Sequence, residues 1–508
     1  MNQLKAGAIL NYAVIVLNTL VGLLYTPYML HMLGQNEYGL YSLVASIISY
    51  LTILDLGLGN AVVRYTAKFR AEGKQTEQYE MFGMFFTLYV VIGVIVLLAG
   101  WGLYSNVGTI FGKTMTAMEI DRAQIMMLLL VFNLAFTFPM SIFGSIINAY
   151  ERFVFPRVVN ILRIVLNTVV MICLLKMGYK AIAMVIVQTV FNIISLLLNY
   201  IYCRKYLKIK LYFRKFKWGF LKEVAVYSLW IFLNVIMDKM YWSSGQFILG
   251  AVVGTAAVAV FAVAIQLQHM YMTFATAISG VFLPRVTRMV VEDNNSTDIS
   301  NLFIRTGRIQ FIALSLILSG FTVFGRQFIN LWAGESYGNA YYITLLFFIC
   351  MLPDLIQNLG IVILQARNQV KFRAILGLCV AVISIVLQIV LGKQYQEIGC
   401  AVAIAIMFFL GQGVVMNIYY SRKQGLDIVA FWREILRMSI VPIIITTIAL
   451  FVIKPYAINN WGTLIMSIAI FCAVYIPLFW VFSMNRYEHN LAISLFHKLF
   501  FTLKKNES

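Results

Sequence analysis

Long apolar runs separated by short polar segments dominate this sequence. A transmembrane helix needs roughly 20 mainly apolar residues, whereas a transmembrane strand needs only about 10. Fourteen runs have helical length, with approximate limits 8–33, 37–63, 80–104, 122–147, 154–176, 179–202, 225–250, 255–282, 307–331, 340–364, 370–392, 398–421, 436–455 and 463–484. The pattern therefore predicts an all-α polytopic membrane protein with about 14 transmembrane helices.

The composition supports a membrane location. Of the 508 residues, 61% are hydrophobic and 12% are charged, and the mean hydropathy is +0.85. A soluble domain carries about 25% charged residues, so this chain cannot cover a water-facing surface and needs lipid around it. The six cysteines form no CxxC pair and no Cys/His cluster, which favours apolar packing over disulfides or a metal site.

Lysine and arginine are distributed unevenly between alternate connections. With the N-terminus inside, 30 of the 39 fall in inward segments and 7 in outward ones, and Arg163 and Lys239 remain in the membrane. The positive-inside rule then predicts that both termini are cytoplasmic. The net charge of +19 is explained by topology and by contact with lipid headgroups, so nucleic acid is not an expected partner.

A basic stretch near the middle of the chain divides the spans into two groups. Leu17-Asn18 recurs as Leu233-Asn234, and Pro139 in span four matches Pro353 in span ten. This faint repeat predicts two pseudo-symmetric six-helix lobes, an arrangement found in transporters with alternating access. The predicted parts are an N-terminal lobe (1–202, spans 1–6), a basic cytoplasmic linker (203–224), a C-terminal lobe (225–421, spans 7–12), and spans 13–14 with a cytoplasmic tail (422–508).

Charged residues inside spans are the first candidates for a site, because each costs at least about 2.5 kcal/mol at the bilayer centre. Asn160, Arg163 and Asn167 share one face of span five at spacings i, i+3 and i+7. That stripe is either the cationic wall of a cavity or an arginine that snorkels to the inner headgroups. Lys239 lies near the middle of span seven beside Asp238, and each is expected to line a cavity or to meet another helix.

Further charged residues lie at the ends of spans and within them. Arg64 ends span two and Arg285 ends span eight, where both are either cavity residues or ordinary positive caps. The intramembrane carboxylates Asp55, Asp238 and Asp354 are candidates for coupling to H⁺ or Na⁺, and pairing with the intramembrane cations is the alternative.

Motifs for enzymatic chemistry are missing from the sequence. No P-loop, nucleophile elbow or HExxH motif occurs, so we expect a non-enzyme without a cofactor or metal. A membrane polysaccharide polymerase or ligase is the alternative from another class. It would need a large outward domain, and the longest outward loop predicted here, 105–121, is short.

Several segments resemble a known family. The stretch Asp55-Leu-Gly-Leu-Gly-Asn-Ala-Val-Val-Arg64, with Gly34-Gln-Asn-Glu-Tyr-Gly before it and Asn148-Ala-Tyr-Glu-Arg-Phe153 later, is similar to polysaccharide repeat-unit flippases of the Wzx type. These O-antigen and capsule translocases belong to the multidrug/oligosaccharidyl-lipid/polysaccharide exporter superfamily. Lipid II flippases and multidrug (MATE) exporters are members of the same superfamily.

The resemblance implies a two-lobe, alternating-access flippase in a bacterial cytoplasmic (inner) membrane. Its cargo would be an undecaprenyl-pyrophosphate-linked oligosaccharide, moved to the outer leaflet for O-antigen, lipopolysaccharide or capsule biosynthesis alongside other polysaccharide-assembly proteins. In related flippases, arginines at the positions of Arg64 and Arg285 contribute to a cationic cavity.

Two alternatives share this fold, a cation-coupled multidrug antiporter and a lipid II flippase. The antiporter would bind cations in an acidic cavity, whereas this sequence places basic residues in the membrane as well. The lipid II branch uses arginines in span one, where this chain offers only Asn11, Asn18 and Tyr25.

Overall fold

A computed structural model describes residues 3–213, 218–279, 282–292, 296–367, 369–453 and 459–494. Within these ranges some side chains, that of Arg285 among them, lie outside the description. The α-helices are α1 (Gln3–Leu33), α2 (Gln35–Leu51), α3 (Leu58–Ala71), α4 (Gln75–Phe111), α5 (Ala117–Ala149), α6 (Val154–Lys176), α7 (Ala181–Lys205), α8 (Trp218–Trp242), α9 (Ser244–Val252), α10 (Thr255–Ser279), α11 (Leu283–Glu292), α12 (Ser296–Trp332), α13 (Asn339–Ile356), α14 (Asn358–Ala366), α15 (Lys371–Phe408), α16 (Met416–Gln424), α17 (Ile428–Ile453) and α18 (Trp461–Ser483).

The predicted fold class is confirmed, since the described ranges are helical and contain no strand. Twelve helical segments there are long and apolar enough to cross a membrane. One of them spans 54 residues, 371–424, and bends at Tyr395 and Gln396, where Gln396 has a φ of 52°. It therefore covers two predicted spans, and α8 with α9 covers the predicted seventh. These two differences separate the 12 segments from the expected count of about 14, which is approximate.

The chain forms two compact units. The first contains Met1–Val263 with Ala374–Ile404, and the second contains Ala264–Arg373 with Ala405–Ser508. In the first unit α5 packs against α2, α3, α4 and α7, and α6 packs against α1 and α7. In the second unit α12 packs against α13, α17 and α18. Each unit is thus built around one long central helix, α5 or α12.

Part of the proposed linker lies along α4 without helical structure. The Tyr212 amide donates to the Tyr79 carbonyl oxygen at 3.1 Å, and the two rings meet edge to face. A Cβ on Gly83 would lie 2.2 Å from the Tyr212 oxygen, so only glycine permits this approach. The start of the basic stretch is therefore fastened to the first turns of α4.

Helices α4 and α5 approach closely where α4 carries glycine. A Cβ on Gly93 would lie 2.9 Å from the Ala135 carbonyl oxygen, and one on Gly100 would lie 2.4 Å from the Val131 side chain. Small residues let helices approach in lipid, where the hydrophobic effect drives little helix association. The two glycines hold α4 and α5 as a tight pair and so fix the position of α5.

Apolar side chains are exposed along most of the long helices. Phe451 on α17 is 76% exposed and Phe482 on α18 is 71% exposed, and Leu24 on α1 is 72% exposed. Such surfaces extend well beyond the apolar patches of soluble monomers. This protein is therefore a multi-pass membrane protein whose outer surface is covered by acyl chains.

A buried ionic cluster joins three segments of the second unit. Arg308 on α12 is 4% exposed. Its Nε and Nη2 donate to the two carboxylate oxygens of Glu488 at 2.5 and 3.0 Å, and its Nη1 donates to Glu434 on α17 at 2.6 Å. Asn485 and Glu488 also satisfy each other's backbone amides. One guanidinium therefore joins α12, α17 and the segment after α18.

We expect Glu488→Gln to destabilise the protein strongly. Removing one partner of a buried ion pair leaves a charge without compensation, which costs about 3–5 kcal/mol. Arg437→Gln is the control, because Arg437 is 76% exposed and lies 3.9 Å from Glu434, and exposed pairs contribute at most about 1 kcal/mol. Thermal unfolding in detergent measures both. Equal midpoints for the two variants would contradict the assigned role.

Candidate functional site

Arg163 lies on the side of α6 that faces away from the exposed apolar stripe. Successive helical residues turn by about 100°, which places Asn160, Arg163 and Asn167 together on one side. The opposite side carries side chains that are 41–54% exposed, namely Leu162, Val165, Leu166 and Val169. Arg163 itself is half-buried. The guanidinium therefore points away from the exposed stripe and toward the other helices of its unit.

The Arg163 guanidinium is held by neutral amides. Its Nη2 donates to Asn160 Oδ1 at 3.1 Å, and its Nη1 donates to Asn192 Oδ1 on α7 at 3.2 Å. The Asn192 amide in turn donates to Asn133 Oδ1 and Thr137 Oγ1 on α5, both at 2.8 Å. Three helices thus contribute to one polar network, which we call the Arg163 network.

Asn192 links Arg163 to α5 in this network, and the sequence prediction does not include it. Helix α7 carries Gln188, Asn192, Ser195 and Asn199 at spacings i, i+4, i+7 and i+11, which place them on one face. That periodicity was visible in the sequence. Without knowing which helices are neighbours, however, it could not be connected to Arg163.

Neither of the two cations that the sequence predicts within the membrane is paired with an acid in the described part of the chain. No ion pair involves Arg163 or Lys239 among the described residues. A charge within the hydrocarbon region is expensive unless water, a partner or a ligand compensates it. The Arg163 network therefore favours binding of an anion.

The other predicted basic residues are more dispersed. Arg64 on α3 is exposed, with its guanidinium carbon 5.8 Å from the centre of the Tyr65 ring. Lys239 is half-buried on α8. The side chain of Arg285 lies outside the described residues, although its helix, α11, is described. Asn167 lies one turn beyond Arg163, and its amide donates to Met171 Sδ at 3.7 Å. The structure brings Asn160 and Arg163 into direct contact.

The predicted carboxylates have different surroundings. Asp55 Oδ1 accepts a hydrogen bond from the Tyr89 phenol at 3.0 Å. Asp238 is exposed on α8, and Asp354 is half-buried on α13, where Arg373 is near enough to interact with it electrostatically. The hydrogen bond to Asp55 therefore comes from a different helix, α4.

The cysteines and an apolar cavity are the remaining candidates for a site. No group of three or more His, Cys, Asp or Glu side chains that could hold a metal occurs among the described residues, and the six cysteines are unpaired. A cavity of about 370 Å³ lies in the second unit between α12, α13 and α17. It is lined by apolar and hydroxyl side chains, so it offers no charge to an anion.

Comparison with known proteins assigns the family. The sequence model of the family described as polysaccharide biosynthesis protein matches residues 4–290, more than half of the chain. The chain belongs to this family. A Bacillus subtilis (strain 168) protein, described as uncharacterized membrane protein EpsK, is 18% identical over 496 residues, which cover 96% of this chain and 97% of that protein.

Solved structures share the fold of this family member. Lipid II flippase MurJ in an inward closed conformation matches with a TM-score of 0.70 and 17% identity, over 93% of this chain and 97% of MurJ. An inward-facing MATE family multidrug resistance transporter of the MOP superfamily matches with a TM-score of 0.61 and 14% identity, over 81% and 99%. The resemblance to polysaccharide flippases read from the sequence is confirmed at the level of family and fold.

We expect Asn192→Ala to lower stability more than Asn199→Ala on the same helix. Asn192 makes three hydrogen bonds in the Arg163 network, and the loss of partners for buried polar groups costs about 1–3 kcal/mol. Asn199 Oδ1 has no hydrogen-bond partner in the described chain, so its removal costs less. Thermal unfolding midpoints in one detergent compare the two, and a larger drop for Asn199→Ala would exclude the proposed support of Arg163.

Proposed function

We propose that this protein is a flippase that moves undecaprenyl-pyrophosphate-linked oligosaccharide repeat units from the inner to the outer leaflet by alternating access. The observation that carries the proposal is Arg163, an intramembrane guanidinium that faces away from the exposed apolar stripe and has only neutral partners among the described residues. The product would serve surface polysaccharide synthesis, as O-antigen or capsule. Family membership supports this assignment.

A pyrophosphate suits the chemistry of Arg163. The guanidinium has five N–H donors in a planar fork, and the two described hydrogen bonds to Asn160 and Asn192 use two of them. The remaining donors can bind phosphate oxygens in bidentate geometry, which gives the strongest hydrogen bonds. A hydrated gap would receive the glycan and pyrophosphate while the prenyl tail stays in lipid.

The remaining predicted residues extend this site. We propose that Lys239, Arg64 and Arg285 add positive charge along the path of the pyrophosphate, and that Asn160 and Asn167 contact its oxygens or the first sugar. Asp238 and Asp354 stay candidates for coupling to H⁺ or Na⁺. In this proposal the protein lies in a bacterial cytoplasmic membrane with both termini inside, as the distribution of basic residues predicts.

The sequence and geometry favour this cargo over the alternatives. Span one carries Asn11, Asn18 and Tyr25 but no arginine, and this absence argues against lipid II as the cargo. Tyr25 donates a hydrogen bond to Met171 Sδ at 3.2 Å. The cationic Arg163 network argues against a drug antiporter that binds cations. A polymerase or ligase would need catalytic groups and a large outward domain, neither of which the sequence predicts.

Reconstituted translocation tests the proposal. In proteoliposomes with a fluorescent undecaprenyl-pyrophosphate oligosaccharide and a membrane-impermeant quencher, we expect Arg163→Ala to lower the initial rate by about tenfold or more, since hydrogen bonds to a charged group contribute roughly 1.5–3 kcal/mol. Arg163→Lys keeps the charge without the planar fork, so an intermediate rate is expected.

Lys176→Ala is the matched control, because Lys176 is an exposed cation in the last turn of the same helix. Its rate should equal that of the unmodified protein. If Arg163→Ala and Lys176→Ala flip the glycolipid equally fast, the assigned role of Arg163 is wrong. If the unmodified protein catalyses no translocation of this lipid, the cargo is wrong.

A further inference from the structure

Span two is broken near its middle. Helix α2 ends at Leu51, a short 3₁₀ helix covers Thr52–Asp55, and α3 begins at Leu58. Between them Leu56 has a φ of 53° and Gly57 a φ of 70°. A left-handed conformation is unfavourable for leucine by about 1–2 kcal/mol. At membrane depth, irregular backbone is tolerated only where protein buries it or where it lines a hydrated space.

The break places a carboxylate beside the phenol of a neighbouring helix. Asp55 closes the 3₁₀ helix and accepts from the Tyr89 phenol of α4 at 3.0 Å. Ser141 of α5 lies near the same phenol, and its hydroxyl donates to the Phe138 carbonyl oxygen at 2.7 Å. A Cβ on Gly59 would lie 3.2 Å from the Ser145 Oγ and 3.8 Å from the Tyr89 Oη. The glycine therefore lets α3 approach this group of oxygen atoms.

Asp55 has no cationic partner in the described chain. None of the ion pairs among the described residues includes Asp55. The helices packed against this segment are α2, α4 and α8. Their titratable groups include Tyr89 of α4, Asp238 and Lys239 of α8, and Tyr50 and Glu37 of α2, of which Glu37 pairs with Arg122. A half-buried carboxylate near the centre of a 37-residue span needs a counter-charge or a proton.

We infer that Asp55, the Tyr89 phenol and the adjacent hydroxyls of α5 form a binding site for a monovalent cation, a proton or Na⁺, at the break in span two. Carboxylate and hydroxyl oxygens are ligands for hard cations, and broken membrane helices provide coupling-ion sites in transporters. Either cation would neutralise Asp55 within the membrane.

This site is connected to the Arg163 network through one helix. Thr137 of α5 belongs to the Arg163 network, and Ser141, one turn or about 6 Å further along the helix, lies near the Tyr89 phenol. The inference deepens the proposed function, on which its role in transport rests. An anion bound at Arg163 favours a cation at Asp55 electrostatically, and linkage requires the cation to favour the anion equally.

Thermal unfolding of the purified protein without any glycolipid tests the site directly. Replacing choline with Na⁺ at fixed pH, or lowering the pH at fixed Na⁺, should raise the unfolding midpoint of the unmodified protein by about 2–4 °C. A shift with Na⁺ identifies Na⁺ as the ligand, and a shift with pH alone identifies the proton. Asp55→Asn should abolish the shift.

Asp121→Asn is the matched control, because it makes the same substitution at an exposed position on α5, and it should keep the full shift. Tyr89→Phe, which removes only the phenolic oxygen, should raise the half-saturating cation concentration by about tenfold. If Asp55→Asn does not fold, the Tyr89→Phe variant still tests the site. The inference is overturned if the unmodified protein shows neither shift, if Asp55→Asn or Tyr89→Phe behaves like the unmodified protein, or if Asp354→Asn alone abolishes the effect.

The two proposals can fail separately. A cation shift that depends on Asp55 in a protein that does not flip the glycolipid would overturn the proposed cargo and leave the cation site intact. Translocation that depends on Arg163 in a protein without the Asp55-dependent shift would do the reverse.

Discussion

A positive charge inside the bilayer that neutral amide groups orient is the constraint on which the rest of this structure depends. Arg163 is oriented by Asn160 and Asn192, and Asn192 is oriented by two side chains of α5. Amide partners position a guanidinium without neutralising it, so the charge remains available to a ligand. Carboxylates in their place would have formed closed ion pairs, as the Glu488 carboxylate does for Arg308.

Helix α5 connects the features that matter for function. Its ladder of small polar residues, Asn133, Thr137, Ser141 and Ser145, would ordinarily be expected to hold helices together. Here its first half supports the Arg163 network and its second half adjoins Asp55 through Tyr89. A structural ladder thus also joins the proposed anion site to the proposed cation site.

Features that depend on neighbouring residues in the sequence could be predicted. The length of the apolar runs predicted the helices, and the i, i+3 spacing predicted that Asn160 and Arg163 share a helix face, where they are in contact. The sequence could not pair Asn192 with Arg163, or Glu488 with Arg308, which is 180 residues away, because such contacts depend on which helices become neighbours. The two glycines in Asp55-Leu-Gly-Leu-Gly are consistent with the break in span two. The apolar run continues through them, however, and therefore predicts one uninterrupted helix.

The glycine contacts between α4 and α5 have a mechanical consequence. With Gly93 and Gly100 in close contact with Ala135 and Val131, these two helices cannot rotate or slide past each other without steric overlap. They form a stiff frame that carries Tyr89 on one member and Thr137 on the other. Rearrangement within this unit must therefore involve the helices around the frame, such as α6, which packs against α1 and α7.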